Sequence, residues 1–414
     1  MKFRKYKLED VCNIQIGKTP RREVKEYWGK GYSWVSISDM KLRIITTTKE
    51  EITESAIKEC GCKLIPEGTI LMSFKLSIGK LAFAGKDLYT NEAIVGLEIK
   101  DKKVLHPDYL LYVLKNIPLI GSNNAAMGAT LNKESLKILQ LPIPEKLSDQ
   151  LHIANLLSKA ENLISQRKQS MALLDEFLKS TFLEMFGDPV RNEKGWALKK
   201  LKDVCIRITD GTHFSPPIIE NGIPYITAKH VRENKIDFFG KPWFISEQDH
   251  KDIYKRCDPK RGDVLYIKDG ATTGYAAINK YDFEFSMLSS LALLKTNSTE
   301  CNSEYLCSWL NNPVVKSKIL LGMSGGAIQR LTLTKINALP ILVPPIALQN
   351  QFAQITEKTE ALKAYYQGSL QVLENLYGSL SQRAFRGELS LNQLGEGVLM
   401  AAEPETGYQA NIIK

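Results

Sequence analysis

The chain has 414 residues, 43% of them apolar and 24% charged, which fits a soluble globular protein of two or three domains and excludes a disordered or fibrous one. Its longest uncharged stretch, Ile336 to Thr356, contains Pro340, Pro344 and Pro345, and no apolar run follows the basic start Met1-Lys2-Phe3-Arg4-Lys5, so neither a membrane span nor a secretory signal is expected. The net charge of +9 is uneven: residues 1–145 hold 23 Lys and Arg against 17 Asp and Glu, residues 188–345 hold 22 against 17, and the two remaining stretches hold 10 against 12. Two basic blocks alternating with neutral ones point weakly to polyanions.

In chain order, the first block opens with short β-branched or apolar runs at Val35-Ser36-Ile37, Thr69-Ile70-Leu71-Met72 and Ile94 to Ile99. Pro107 to Leu114 reads as a short helix opened by its proline. From Glu145 to Phe186 there is neither proline nor glycine. Ile153, Leu157, Ala160, Ile164, Arg167, Met171, Leu174, Leu178, Thr181 and Met185 alternate four and three apart, the seam of a coiled coil. Forty residues at 1.5 Å each make a rod of about 60 Å.

The second block repeats the pattern with Val264 to Ile267, Leu291 to Leu294, and a helix from a Ser303 cap to Leu310. A second seam follows at Phe352, Ile355, Thr359, Leu362, Tyr366, Ser369, Leu373, Leu376 and Leu380. Gly368 and Gly378 weaken this helix by up to about 1 kcal/mol each. The two rods are expected to pair with each other and hold the blocks apart.

The repetition is an internal duplication. Leu8-Glu9-Asp10-Val11-Cys12 returns as Leu201-Lys202-Asp203-Val204-Cys205, Asp108-Tyr109-Leu110 as Glu304-Tyr305-Leu306, and Leu141-Pro142-Ile143-Pro144 as Leu339-Pro340-Ile341 with Pro344. An α+β fold follows, with two similar mixed α/β domains separated by two long antiparallel coiled-coil helices. The expected bounds are 1–145, 146–187 (helix), 188–345, 346–390 (helix) and a tail over 391–414.

No catalytic constellation appears. Cys12 to Thr19 ends in the Gly-Lys-Thr of a phosphate loop but lacks its first glycine and runs straight into Pro20. The five histidines show no metal spacing, and Cys60 and Cys62 lack the second cluster a zinc site requires. The seven scattered cysteines read as reduced cytoplasmic thiols. No catalytic residue, metal or cofactor is expected on this chain.

The polar, turn-rich segments carry a different chemistry. Lys18, Thr19, Arg21, Arg22, Lys41, Arg43, Lys75, Asn123 and Asn124 in the first block can hold phosphates or base edges, as can Thr212, His213, Lys229, Arg232, Lys268, Thr272, Gln329 and Arg330 in the second. For any one of them a solvated loop charge is the plainer reading. Corresponding loops are polar in both copies while their identities differ, which suits reading two different short sequences.

With the Val11-to-Pro20 opening, Gly31-Tyr32-Ser33-Trp34, the two proline joints and the ending Ser381-Gln382-Arg383-Ala384-Phe385-Arg386-Gly387-Glu388-Leu389, the chain resembles a specificity subunit of a type I restriction–modification system over roughly residues 5 to 390. That resemblance implies a non-catalytic, cytoplasmic reader of double-stranded DNA. Each block would be a target-recognition domain for half of a bipartite site, and the helices would set the gap. Two methyltransferase subunits carrying S-adenosylmethionine and endonuclease subunits carrying ATP and Mg would be its partners, with no membrane involved. The helix interface would use Ile153, Leu157, Ile164, Met171, Leu174, Leu178, Phe352, Ile355, Leu362, Tyr366, Leu373 and Leu380. A coiled-coil scaffold without sequence-specific DNA binding is the alternative.

Overall fold

A computed structural model describes residues 1–75, 77–117, 119, 131–321 and 330–389. The chain divides into two compact units, Met1–Lys168 with the chain from Gln367 onward, and Gln169–Tyr366. Each long helix, Leu147–Phe186 and Ile346–Arg386, contributes one part to each unit.

The first unit is built on a five-stranded sheet in the order Cys12–Ile16, Ile94–Ile99, Ile70–Ser73, Leu81–Ala84, Ile44–Ile45. A three-stranded sheet sets Trp28–Val35 between Glu50–Ile52 and Tyr89–Thr90, and Phe3–Lys7 pairs antiparallel with Gln140–Pro144. The helix Pro107–Asn116 buries Tyr109 to Leu114 without interruption, because it is enclosed on both faces.

The second unit repeats this plan. Its main sheet runs Cys205–Asp210, Leu291–Thr296, Val264–Ile267, Ala276–Ile278. Ile223–Ile226 lies between Phe244–Ile245 and Ser286–Met287, antiparallel to one and parallel to the other as in the first unit, and Ala197–Lys200 pairs with Pro340–Val343. A hairpin of Val231–Arg232 with Lys235–Ile236, turning through left-handed Asn234, has no counterpart among the described residues of the first unit. The helix Ser303–Asn311 is capped by Asn302, whose side chain accepts from the Glu304 N–H, rather than by Ser303. The strand expected at Val35-Ser36-Ile37 ends at Val35.

The proline segments before the long helices are strands rather than loose joints. In Gln140–Pro144 the residues paired to the first strand are the odd ones: Leu139 O accepts from Leu8 N–H, and the Glu145 N–H donates to Lys2 O. Pro142 and Pro144, which have no N–H, fall on the open edge. Their carbonyls are satisfied from the side. Tyr109 OH donates to Pro142 O, and Gln150 Nε2 donates at 2.9 Å to both Pro144 O and Val104 O while its Oε1 accepts from the His106 N–H at 2.8 Å. The second unit repeats this with Tyr305 OH on Leu342 O (2.7 Å) and Gln349 on Pro344 O (2.8 Å), Glu300 O (3.2 Å) and the Asn302 N–H (2.9 Å). Both glutamines are fully buried in the first turn of a long helix.

Within each unit the parts of the two long helices run antiparallel. In the first unit Tyr377 OH donates to Glu161 (3.0 Å) and Lys168 pairs with Glu374 (2.8 Å). In the second, Lys363 pairs with Asp175 (2.7 Å), and Phe182, Phe186, Phe352 and Tyr305 form an aromatic cluster with centroids 4.7–5.8 Å apart. Every expected seam position of the first helix, from Ile153 to Met185, is buried or half-buried. The second helix corrects the reading. Phe352, Thr359, Tyr366, Leu373 and Leu380 face inward, but Leu362 is exposed, and the other inward row is Thr356, Lys363, Leu370 and Tyr377, one position beyond Ile355, Leu362, Ser369 and Leu376. Lys363 is admitted because Asp175 and Glu360 satisfy its charge.

All seven cysteines are free, and burial pushes the Cys12, Cys205 and Cys257 thiols up to about 12, so they are inert at neutral pH. Among the described residues no helix is long and apolar enough to cross a membrane, and no three His, Cys, Asp or Glu side chains gather as a metal site.

Candidate functional site

The polar loops grow from equivalent points. Cys12–Ile16 and Cys205–Asp210 each end in a glycine set against another strand: a Cβ on Gly17 would lie 2.2 Å from Thr90 O, and one on Gly211 would lie 1.8 Å from Met287 O. Only glycine lets the next N–H, that of Lys18 or Thr212, reach the same carbonyl at 2.8 or 2.9 Å. The Gly-Lys-Thr sequence therefore serves a strand crossing rather than a phosphate loop.

In the first unit two tryptophans hold the loop that follows. Trp34 Nε1 donates to Lys18 O (3.0 Å) and Trp28 Nε1 to Arg21 O (3.2 Å), with the indoles edge to face at 5.0 Å. The Arg22 guanidinium lies 3.8 Å over Trp28 and is gripped by both Glu50 oxygens. Lys18 Nζ donates to Cys60 O (3.0 Å), Thr19 bonds Glu92, and Arg21 is exposed. Lys18, Thr19, Arg21 and Arg22 thus share one braced loop whose supports, Trp28, Trp34 and Glu50, sequence reasoning missed. The Arg-Arg-x5-Trp spacing was the available signal for them. Arg43 is tied separately to Tyr112 OH (3.0 Å) and Asp108, Lys75 sits 5.5 Å from the Phe74 ring centre, and Lys41 is exposed.

In the second unit the outcome is mixed. Lys229 lies over Trp243 (4.8 Å), and the exposed Arg232 donates to Lys229 O (2.8 Å). Thr272 is half-buried in a turn. Thr212 and Lys268 were expected at the surface, and both are buried. Lys268 Nζ stands 3.4 Å from both Asp210 and Asp269, a charge that enters the interior only because two carboxylates meet it there. Around that pair stand Arg256 on Asp210 (2.7 Å), His213 on Asp210 (3.3 Å) and Arg330 on Asp269 (3.3 Å). The structure thereby joins His213, Lys268 and Arg330 in one ionic cluster, with Arg256 unforeseen. His230 is interior too: its Nδ1 accepts from the Thr227 N–H and its Nε2 donates to Lys241 O, each at 3.0 Å, while burial lowers its pKa. Asn123, Asn124, Gln329 and the 391–414 tail lie outside the described residues.

These are binding features rather than catalytic ones: cations and amphipathic rings on braced loops, with their charges partly exposed. Against known proteins, the type I restriction modification DNA specificity domain matches residues 1–173 and again 193–375. The MjaIX type I restriction enzyme specificity subunit of Methanocaldococcus jannaschii is 26% identical over 413 residues, covering 94% of each chain. The EcoBI specificity subunit of Escherichia coli is 20% identical over 79% of this chain and 76% of its own. Among solved structures, the type I restriction–modification S subunit of M. genitalium superposes with a TM-score of 0.57 at 15% identity, over 93% of this chain and 96% of its own. A chain from a structure of type I complex assembly and conformational transition gives 0.55 at 17% identity, over 94% and 98%. At these identities the likeness is one of fold.

Proposed function

The chain belongs to the type I restriction modification DNA specificity family, and from that premise we propose that each unit reads one half of a bipartite DNA site while the long helices fix the gap. The observation that carries this is the pair of units with one four-strand order in the main sheet and one glycine crossing, bearing different loops: Lys18-Thr19 with a tryptophan-braced Arg22 in one, His213 with an ionic cluster in the other. Methyl transfer and cleavage belong to partner subunits in this family, which bind S-adenosylmethionine, ATP and Mg; this chain supplies recognition. The helices offer outward apolar side chains for docking methyltransferase subunits, notably Leu173 (60% exposed), Phe177 (48%) and Val372 (57%). Lys18, Arg21, Arg22 and Lys229 are the nearest candidates for phosphate or base contact.

The test is modified-base mapping in a host that carries an active partner methyltransferase, with and without this chain. The expected result is a two-part motif with a constant gap, methylated only when the chain is present. Methylation independent of the chain would end the proposal.

A further inference from the structure

The ionic cluster of the second unit holds one cation more than its two carboxylates require. Asp210 and Asp269 carry two negative charges, and Lys268, Arg256 and Arg330 stand within 3.4 Å of them with three positive ones. Lys268 is sealed inside, so the surplus falls to the outer members. Arg256 and His213 are both half-exposed and share a single oxygen, Asp210 Oδ1. They open on a cavity of about 440 Å³ whose wall also includes Phe214, itself 53% exposed. The cavity's one carboxylate, Asp252, is already occupied by Lys255 (3.1 Å) and Gln248 (3.2 Å).

The hold on Arg256 is directional. Asp210 is almost wholly buried, is fixed on its other oxygen by Lys268, and engages the guanidinium only at Nη2. His213 Nε2 lies 3.2 Å from the same Nη2, and among the described residues Nη1, the other terminal nitrogen, has no hydrogen-bond partner. With Nη2 held on a rigid anchor, Nη1 is left to donate to the O6 and N7 edge of guanine, the base edge arginine most often reads, and an exposed aromatic ring beside it offers apolar contact to the neighbouring base. The first unit has Ile16 and Phe74 in the places of Asp210 and Lys268, so the anchor is specific to one reader. We propose that Arg256, positioned by Asp210 and flanked by Phe214, recognises a guanine in the half-site of the second unit. This rests on the DNA-reading function proposed above.

The experiment is modified-base mapping of the whole complex with the wild-type chain, Arg256→Ala and Arg256→Lys. One guanine in one half-site is expected to lose its requirement in Arg256→Ala, discrimination there falling at least about tenfold, while the other half-site and the gap stay unchanged. Arg256→Lys keeps a cation on Asp210 but removes Nη1, and is expected to relax the same position. An unchanged motif in both variants would overturn the inference. So would an equal loss of binding on all sequences with a salt slope smaller by about one, the mark of a phosphate contact. A wild-type chain that directs no two-part motif beside an active methyltransferase would instead overturn the underlying reading, and the wild-type arm separates the two failures.

Discussion

At the same point of the two units the interior is built from opposite materials. In the first, Ile16 ends the edge strand and Phe74 lies in the core, with Phe74 O accepting from the Leu131 N–H at 3.1 Å. In the second, Asp210 and Lys268 take those places, and Lys268 O accepts from the Leu331 N–H at 2.8 Å. The order of the first four strands of the main sheet, the glycine crossing and the buried glutamine are common to both. Backbone pairing and the glutamine bonds therefore define the frame, and the frame accepts either an apolar contact or an ion pair at the root of its loop. Such freedom is what lets one fold carry two recognition chemistries.

The sharpest break of this comparison is at Lys268. Lys268→Met leaves Asp210 and Asp269 short of their shared cation and is expected to cost the second unit about 3–5 kcal/mol in urea unfolding. The double variant Asp210→Ile with Lys268→Phe, which imports the first unit's pair, is expected to recover most of that loss. A neutral Lys268→Met would show that the ion pair holds nothing. Next in size are the shared glutamines. Gln150→Ala and Gln349→Ala each strand a buried N–H and two carbonyls, and equal losses of about 3 kcal/mol are expected. Unequal losses would mean that the two joints are not equivalent.

Acid separates the units again. Burial lowers the pKa of His230 and His250, both in the second unit. Their neutral forms contribute stability that is fully present above the unfolded value near 6.5 and is lost as pH falls below it, because the unfolded chain takes up the protons first. Melting of the second unit is expected to fall between pH 7.5 and 5.5, and His230→Gln to reduce that dependence. The smallest effect concerns the helices. A Cβ on Gly368 or Gly378 would meet nothing within 4 Å, so each change to Ala is expected to stabilise by about 0.5–1 kcal/mol, measured as a rise in melting temperature.

The duplication, the mixed α and β units and the paired helices were legible because each rests on repeated order or on apolar period. What escaped depends on partners distant in sequence. Lys268-Asp269-Gly270 reads locally as a surface turn, and only Asp210 on another strand makes it interior. Leu362 outranks Lys363 as a seam residue by hydrophobicity, yet Asp175 on the other helix turns Lys363 inward. Arg256 was passed over because it closes an ordinary charged helix, Glu247–Arg256, and its carboxylate partner lies on the edge strand.

The first strand of each unit pairs with the strand that leads into a long helix: Phe3–Lys7 with Gln140–Pro144, and Ala197–Lys200 with Pro340–Val343. Each globular block therefore begins and ends at one place, on neighbouring strands, in the manner of an inserted cassette. Recombination within the segments coding for those strands would replace everything between them and leave the long helices untouched. On the function proposed above, one such genetic step would change a single half-site and leave the other half-site and the gap as they were.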